Sequence, residues 1–144
     1  MPERSIRTLI AGQKILTVPG ETTVREAAQL MKKMRVGAAM VVAKHKLIGI
    51  FTERDALFRV LAGGRDPSTT HLSDVMTAKP QTVTPDHPFG YALHLMYEGG
   101  FRHVPVVENG RPIGMVSARD ALGPELQQFA EELERKTQIG EILG

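Results

Sequence analysis

The chain has 144 residues, 42% hydrophobic and 24% charged, with a formal net charge of +2; that is about one domain's length with enough apolar material for a core, which excludes a largely disordered chain. It contains no cysteine, which excludes a disulfide framework, thiolate zinc sites and cysteine nucleophiles and agrees with a reducing compartment. No apolar run approaches the roughly 18 residues of a membrane span, and residues 1–9 lack the apolar stretch of a secretory signal, so a cytoplasmic location without membrane partners is expected.

Residues 15–18 form a short extended lead-in stopped by Pro19 and Gly20. Thr22 or Thr23 then offers a capping hydroxyl to a helix whose Val24, Ala27, Ala28, Leu30, Met31 and Met34 lie along one side. Residues 38–43 and 47–52 read as strands around a polar Lys44-His45-Lys46 turn, and residues 53–61 as a second helix. A loop-like stretch rich in Gly, Pro, Ser and Thr fills 63–70, and Leu72 to Met76 forms a short helical turn leading into the second half of the chain. The order then recurs: 81–84 extended, 89–97 helical, 103–108 and 113–117 extended around Asn109-Gly110, and 118–122 helical. Beyond Pro124, Leu126, Phe129, Ala130 and Leu133 mark an amphipathic helix expected to pack on the module or on a second subunit, with 140–144 frayed.

The recurrence is a duplication. A shift of 65 positions aligns Thr17–Leu57 with Thr82–Leu122 without a gap and with thirteen identities, including Ile48-Gly49 with Ile113-Gly114 and Arg54-Asp55-Ala56-Leu57 with Arg119-Asp120-Ala121-Leu122. Two copies of one supersecondary unit sharing a core are expected, because one copy alone leaves an apolar face uncovered. The units divide as 8–62 and 72–123, joined by a linker at 63–71 and followed by a helix over 124–139.

Each copy carries Gly-x-x-Thr/Ser-x-x-Asp: Gly49, Thr52, Asp55 and Gly114, Ser117, Asp120. The glycine permits close backbone approach. The hydroxyl caps a helix or binds a ligand oxygen, and an ionised carboxylate one turn later accepts hydrogen bonds from adjacent sugar hydroxyls. Arg54, Arg119 and free helix amides suit phosphate. The alternative is architectural, with the hydroxyls as caps and the carboxylates in internal polar contacts.

These motifs, together with Ala-Met-Val-Val at 39–42 and His-Val-Pro-Val-Val at 103–107, resemble a tandem cystathionine-beta-synthase (CBS) domain pair, or Bateman module, over roughly residues 8–123. The resemblance implies an α+β fold of two β-α-β-β-α repeats packed about a pseudo-twofold axis, often pairing into a flat dimer. It implies clefts that draw on both repeats. In one, Ser117 and Asp120 face phosphate and ribose, with Thr17, Thr22, Val36 and Gly37 near the base or sugar; in the other, Thr52 and Asp55 take the polar role opposite Thr82, His87, Phe101 and Arg102. Val104 and Pro105 match the family's hydrophobic-proline segment. Met40 stands at the equivalent of Pro105, and Gly37 is exchanged for Arg102 in the second copy.

Enzymatic readings find little in the sequence. The five histidines show no His-Glu-x-x-His spacing, Ser117 has no Gly-x-Ser-x-Gly setting, and there is no phosphate-loop motif. No catalytic residue, metal or cofactor is expected. The charge is divided, with 12 Lys or Arg against 6 Asp or Glu through Thr70 and 6 against 10 after it. The basic residues are scattered, so nucleic acid is not the expected partner. The expected function is noncatalytic sensing of an adenosine-containing ligand, AMP or ATP first, with output through homodimerisation or a separate effector protein; the alternative is a ligand-independent interaction or dimerisation module.

Overall fold

A computed structural model describes residues 4–143. The elements are α1 (Ile6–Ile10), β1 (Thr17–Pro19), α2 (Val24–Met34), β2 (Ala38–Ala43), β3 (Lys46–Thr52) and α3 (Glu53–Asp55), which runs on as a π-helical segment (Ala56–Leu61). Then come α4 (Leu72–Val75), β4 (Thr77–Ala78), α5 (Phe89–Gly99), β5 (His103–Glu108), β6 (Arg111–Ser117), a 3-10 turn (Ala118–Asp120) and α6 (Gly123–Leu143). Strands β1 to β4 form one mixed sheet in chain order, with β1 parallel to β2 and the others antiparallel, while β5 and β6 form an antiparallel pair. This is the expected α+β architecture.

Local chemistry sets the boundaries. Of the two candidate caps, Thr23 supplies the hydroxyl that accepts from the Glu26 amide, and Arg35 in the left-handed region ends α2. Val24, Ala27 and Met31 of α2 are buried, whereas Leu30 is left exposed. Positive φ at Lys44 and His45, and at Asn109 and Gly110, closes the two hairpins. Both hairpins shift register at equivalent places, Val41/Val42 and Val106/Val107.

Two expected elements differ. The extended lead-in at 81–84 reduces to one parallel bridge, Val83 to Val106, because Pro80 and Pro85 bracket it and neither has an amide to extend the ladder. The helix expected at 118–122 is a three-residue 3-10 turn, with Ala121 extended at ψ 133° before α6 begins. Pro124 has no amide hydrogen to donate to the Asp120 carbonyl, so a continuous helix would leave that carbonyl unpaired; it accepts instead from Arg4 Nη2 at 2.8 Å. The helix then restarts and runs to Leu143, with Gly144 outside the described residues.

The two cores are built by exchange. The short helix at the start of each repeat packs into the other: Ile6 and Ile10 of α1 join Val83, Phe89, Val104 and Val116 in the second core, and Leu72 and Val75 of α4 join Val18, Val41 and Phe51 in the first. The backbone bonds are related by the same duplication. The Ile6 amide donates to the His87 carbonyl at 3.0 Å as the Leu72 amide does to Thr22 at 2.9 Å, and Phe89 donates to Arg4 as Val24 does to Thr70, both at 2.9 Å. The repeated glycines serve this packing. A Cβ on Gly49 would lie 2.3 Å from Met76 Sδ, and one on Gly114 would lie 2.6 Å from Ile10 Cγ2. The close approach expected at these glycines is therefore made by the exchanged segments, not by a ligand.

Ile6, fully buried, precedes the first repeat yet fills the second core. Ile6→Ala should cost about 2–5 kcal/mol in denaturant unfolding, with amide-exchange protection lost first in β5 and β6; loss confined to β1 to β3 would contradict the exchange.

Candidate functional site

Strands β3 and β6 approach each other across the centre of the molecule, and the turns that follow them open onto two clefts. The larger, of about 880 Å³, is lined from the first repeat by Thr52, Arg54, Asp55, Leu57 and Phe58 and from the second by Phe101, Arg102 and His103, with Lys79 and Pro80 between. The smaller, of about 340 Å³, is lined by Ser117, Arg119 and Asp120 against Val36, Gly37 and Met40, again with His103.

The carboxylates are held alike. Asp55 Oδ2 accepts from the Thr52 amide at 2.9 Å and from its hydroxyl at 3.2 Å, and Thr52 Oγ1 in turn lies 3.3 Å from the Asp55 amide it accepts from. Asp120 Oδ2 accepts from the Ser117 amide at 2.8 Å. The repeated motif is thus a helix-start lock, and it uses one oxygen of each carboxylate. The second oxygen of Asp55 lies 3.6 Å from Arg59 Nε. Arg54 Nη1 donates to the Gly100 carbonyl at 2.8 Å, tying the first repeat's turn to the end of α5.

The expected site residues therefore divide. Thr52, Arg54, Asp55, Phe101 and Arg102 meet in the larger cleft, and Val36, Gly37, Ser117, Arg119 and Asp120 in the smaller. The other six are placed elsewhere. Thr17 sits exposed on β1 beside Met40, and Thr22 is buried where its carbonyl receives α4. Thr82, next to the Val83 bridge, is not among the lining residues. His87 Nδ1 accepts from the Thr84 amide at 3.2 Å while its ring lies 4.4 Å from Tyr91. Val104 is fully buried in the second core with Val106, as alternate β5 side chains face it, and Pro105, on the opposite face of the strand, is fully buried as well.

His103, Lys79 and the apolar Leu57 and Phe58 line the larger cleft without having been singled out in the sequence. The exposed apolar pair inside an otherwise polar helix start is the signal that could have found them. Burial holds the His103 pKa below its ordinary value of 6.5; Glu53 opposes this and Arg119 adds to it. Neutral imidazole is accordingly favoured near pH 7.

A model of the CBS domain matches residues 7–62 and 72–123. The chain belongs to the CBS domain family. It is a tandem pair, or Bateman module, and such pairs are regulatory and noncatalytic. It is 37% identical to the CBS domain-containing protein CBSCBSPB3 of Arabidopsis thaliana over 134 residues, which are 92% of this chain and 24% of the plant protein. The chain thus spans about a quarter or less of the first curated relatives it matches, 24% and 19%. A solved CBS-domain protein from Burkholderia ambifaria is 32% identical with TM-score 0.76, covering 81% of this chain and 90% of that one. A CBS domain protein from Pyrobaculum aerophilum, solved in complex with AMP, is 27% identical with TM-score 0.78, covering 89% and 99%. Among the described residues no helix is long and apolar enough to cross a membrane.

Behind the smaller cleft, Arg4 pairs with Glu125 at 2.5 and 3.0 Å while it holds the Asp120 carbonyl. The guanidinium bond holds the Glu125 carboxyl below its ordinary value of 4.5. A lowered folded-state pKa means that this contribution to stability is present above the unfolded value and is lost as pH falls through the folded one. The stability advantage of wild type over Glu125→Gln should therefore shrink as pH drops below about 4.5, read by urea unfolding between pH 7 and pH 3; a constant difference would show that the pair contributes no such linkage.

Proposed function

We propose that this chain is a noncatalytic sensor of an adenosine-containing ligand, with AMP or ATP as the first candidates, bound between its repeats. One observation carries the reading: the larger cleft sets the Thr52-Asp55 turn of the first repeat against Phe101 and Arg102 of the second. At about 880 Å³ it lies within the range of small-molecule sites. Apolar Ile50, Leu57, Phe58 and Phe101 suit a flat base. The second oxygen of Asp55, which it shares with Arg59, suits ribose hydroxyls, and Arg54, Lys79 and Arg102 suit phosphate. The likeness to the Pyrobaculum protein solved with AMP supports the ligand class.

Because the cleft takes residues from both repeats, a ligand there stabilises one arrangement of the pair by as much as it prefers that arrangement. In this reading the output passes to a second copy of the chain or to a separate effector protein, in the reducing cytoplasmic compartment that a cysteine-free chain suits. Leu57, Phe58 and Leu61, 50%, 61% and 73% exposed on one helix, form an apolar surface continuous with the larger cleft. The same surface supports the second reading, a dimerisation or interaction module that needs no ligand.

Calorimetric titration with AMP, ADP, ATP, NAD and S-adenosylmethionine separates the two; saturable binding of none would favour the second. For the ligand that binds, Asp55→Ala should weaken affinity by about 1.5–3 kcal/mol, or roughly ten- to 150-fold. Asp120→Ala should have the smaller effect, since its cleft has less room. Thermal unfolding of both variants measures the separate loss of the helix-start lock, about 0.5–2 kcal/mol. Unchanged affinity in both would remove the ribose assignment.

Light scattering should give twice the 15.8 kDa chain mass, and Phe58→Glu should shift the protein toward the monomer. A wild-type monomer at high micromolar concentration would contradict self-association.

A further inference from the structure

His103 opens β5 and lines both clefts. It stands where the chain has no spare volume, since a Cβ on Gly37 would lie 3.2 Å from His103 Nε2 and 3.1 Å from Glu53 Oε1. The duplication makes this arrangement one-sided. His103 is the equivalent of Ala38, and Glu53 is the equivalent of Ala118, so the histidine and the carboxylate meet on one side of the pseudo-twofold while two alanines occupy the other. No hydrogen bond to the His103 ring is formed by any described residue. A titratable group is thus set in the wall that both clefts share, with its ring nitrogens unbonded among the described residues.

We propose that the His103 imidazole is a ligand-facing group common to both clefts, and that an anion in either one draws a proton from solvent onto it, favouring an anion in the other. The inference rests on the nucleotide reading above. The charges around the ring are Glu53 at the start of α3, Arg119 and Asp120 in the 3-10 turn, and Arg102 beside it in the chain. Farther into the clefts stand Arg54, Asp55 and Lys79 on one side and Lys14 and Arg35 on the other. Burial first, and then Arg119 and Arg102, hold the ring's pKa below its ordinary value against the opposing pull of Glu53 and Asp120. A phosphate that pairs with Arg102 or Arg119 cancels the charge opposing protonation and adds one that favours it. The first anion bears the cost of protonating the ring, and the second meets a ring already charged. By linkage, binding that takes up a proton tightens as pH falls, by no more than about tenfold per pH unit for one proton.

The test uses AMP with wild type and His103→Gln, by calorimetry in two buffers of widely different ionisation heat between pH 6 and pH 8. AMP's own phosphate titrates in this range, so the quantity read is the difference between the two proteins. Wild type should take up more protons per AMP bound and show the steeper gain in affinity toward pH 6. NMR titration of the His103 ring in wild type, free and AMP-saturated, gives the same information without a variant and should show its pKa rising on binding. Equal proton uptake in both proteins, or an unmoved ring pKa, overturns the proposal and leaves the nucleotide reading intact. Absence of any binding by AMP, ADP and ATP overturns both.

Discussion

The structure depends on a reciprocal exchange of short helices between the two repeats. Each repeat has a cleft in its core that its own residues do not fill, and the filler is the leader helix of its twin. Removing either leader segment would expose an apolar surface and strand the Thr22 carbonyl and the Val24 amide, or the His87 carbonyl and the Phe89 amide, which are the partners of the exchanged backbone bonds. Neither core is complete without the other repeat's leader. Both clefts take lining residues from the two repeats that this exchange holds together.

The same turn supports both the fold and the site. A carboxylate that locks the start of a helix with one oxygen is oriented by its amide partner, and Asp55 and Asp120 each line a cleft as well. Architectural and ligand-holding roles for Asp55 and Asp120, which read as rivals in the sequence, are compatible in three dimensions. The repeated glycine one turn earlier belongs wholly to architecture, because Met76 and Ile10 occupy the space a side chain would need.

Divergence after duplication explains why the clefts differ. Gly37 against Arg102, Ala38 against His103 and Glu53 against Ala118 place charge and bulk unequally about the pseudo-twofold. Pro124 adds to the asymmetry: it interrupts the second copy's helix, frees the Asp120 carbonyl for Arg4, and so ties the smaller cleft to the Glu125 end of α6. The first copy has no such interruption, and its helix continues past Asp55 to present Leu57 and Phe58 to the larger cleft.

Much of this was legible in the residues. Hydrophobic periodicity, the Asn109-Gly110 turn and a gapless duplication determined two repeated units, their order and the hydroxyl and carboxylate at each helix start, because these depend on neighbours within a few positions. The resemblance to a known family carried the placement of Phe101 and Arg102 opposite Asp55. Thr22, His87, Val104 and Pro105 are not among the residues lining these two clefts, since which surface a strand or turn residue faces depends on what is covered by a segment dozens of residues away. For the same reason only the tertiary structure decided that α1 belongs to the second core, that Gly49 and Gly114 accommodate exchanged side chains, and that His103 stands between the clefts: each is a contact between residues whose separation along the chain leaves no local periodic signal.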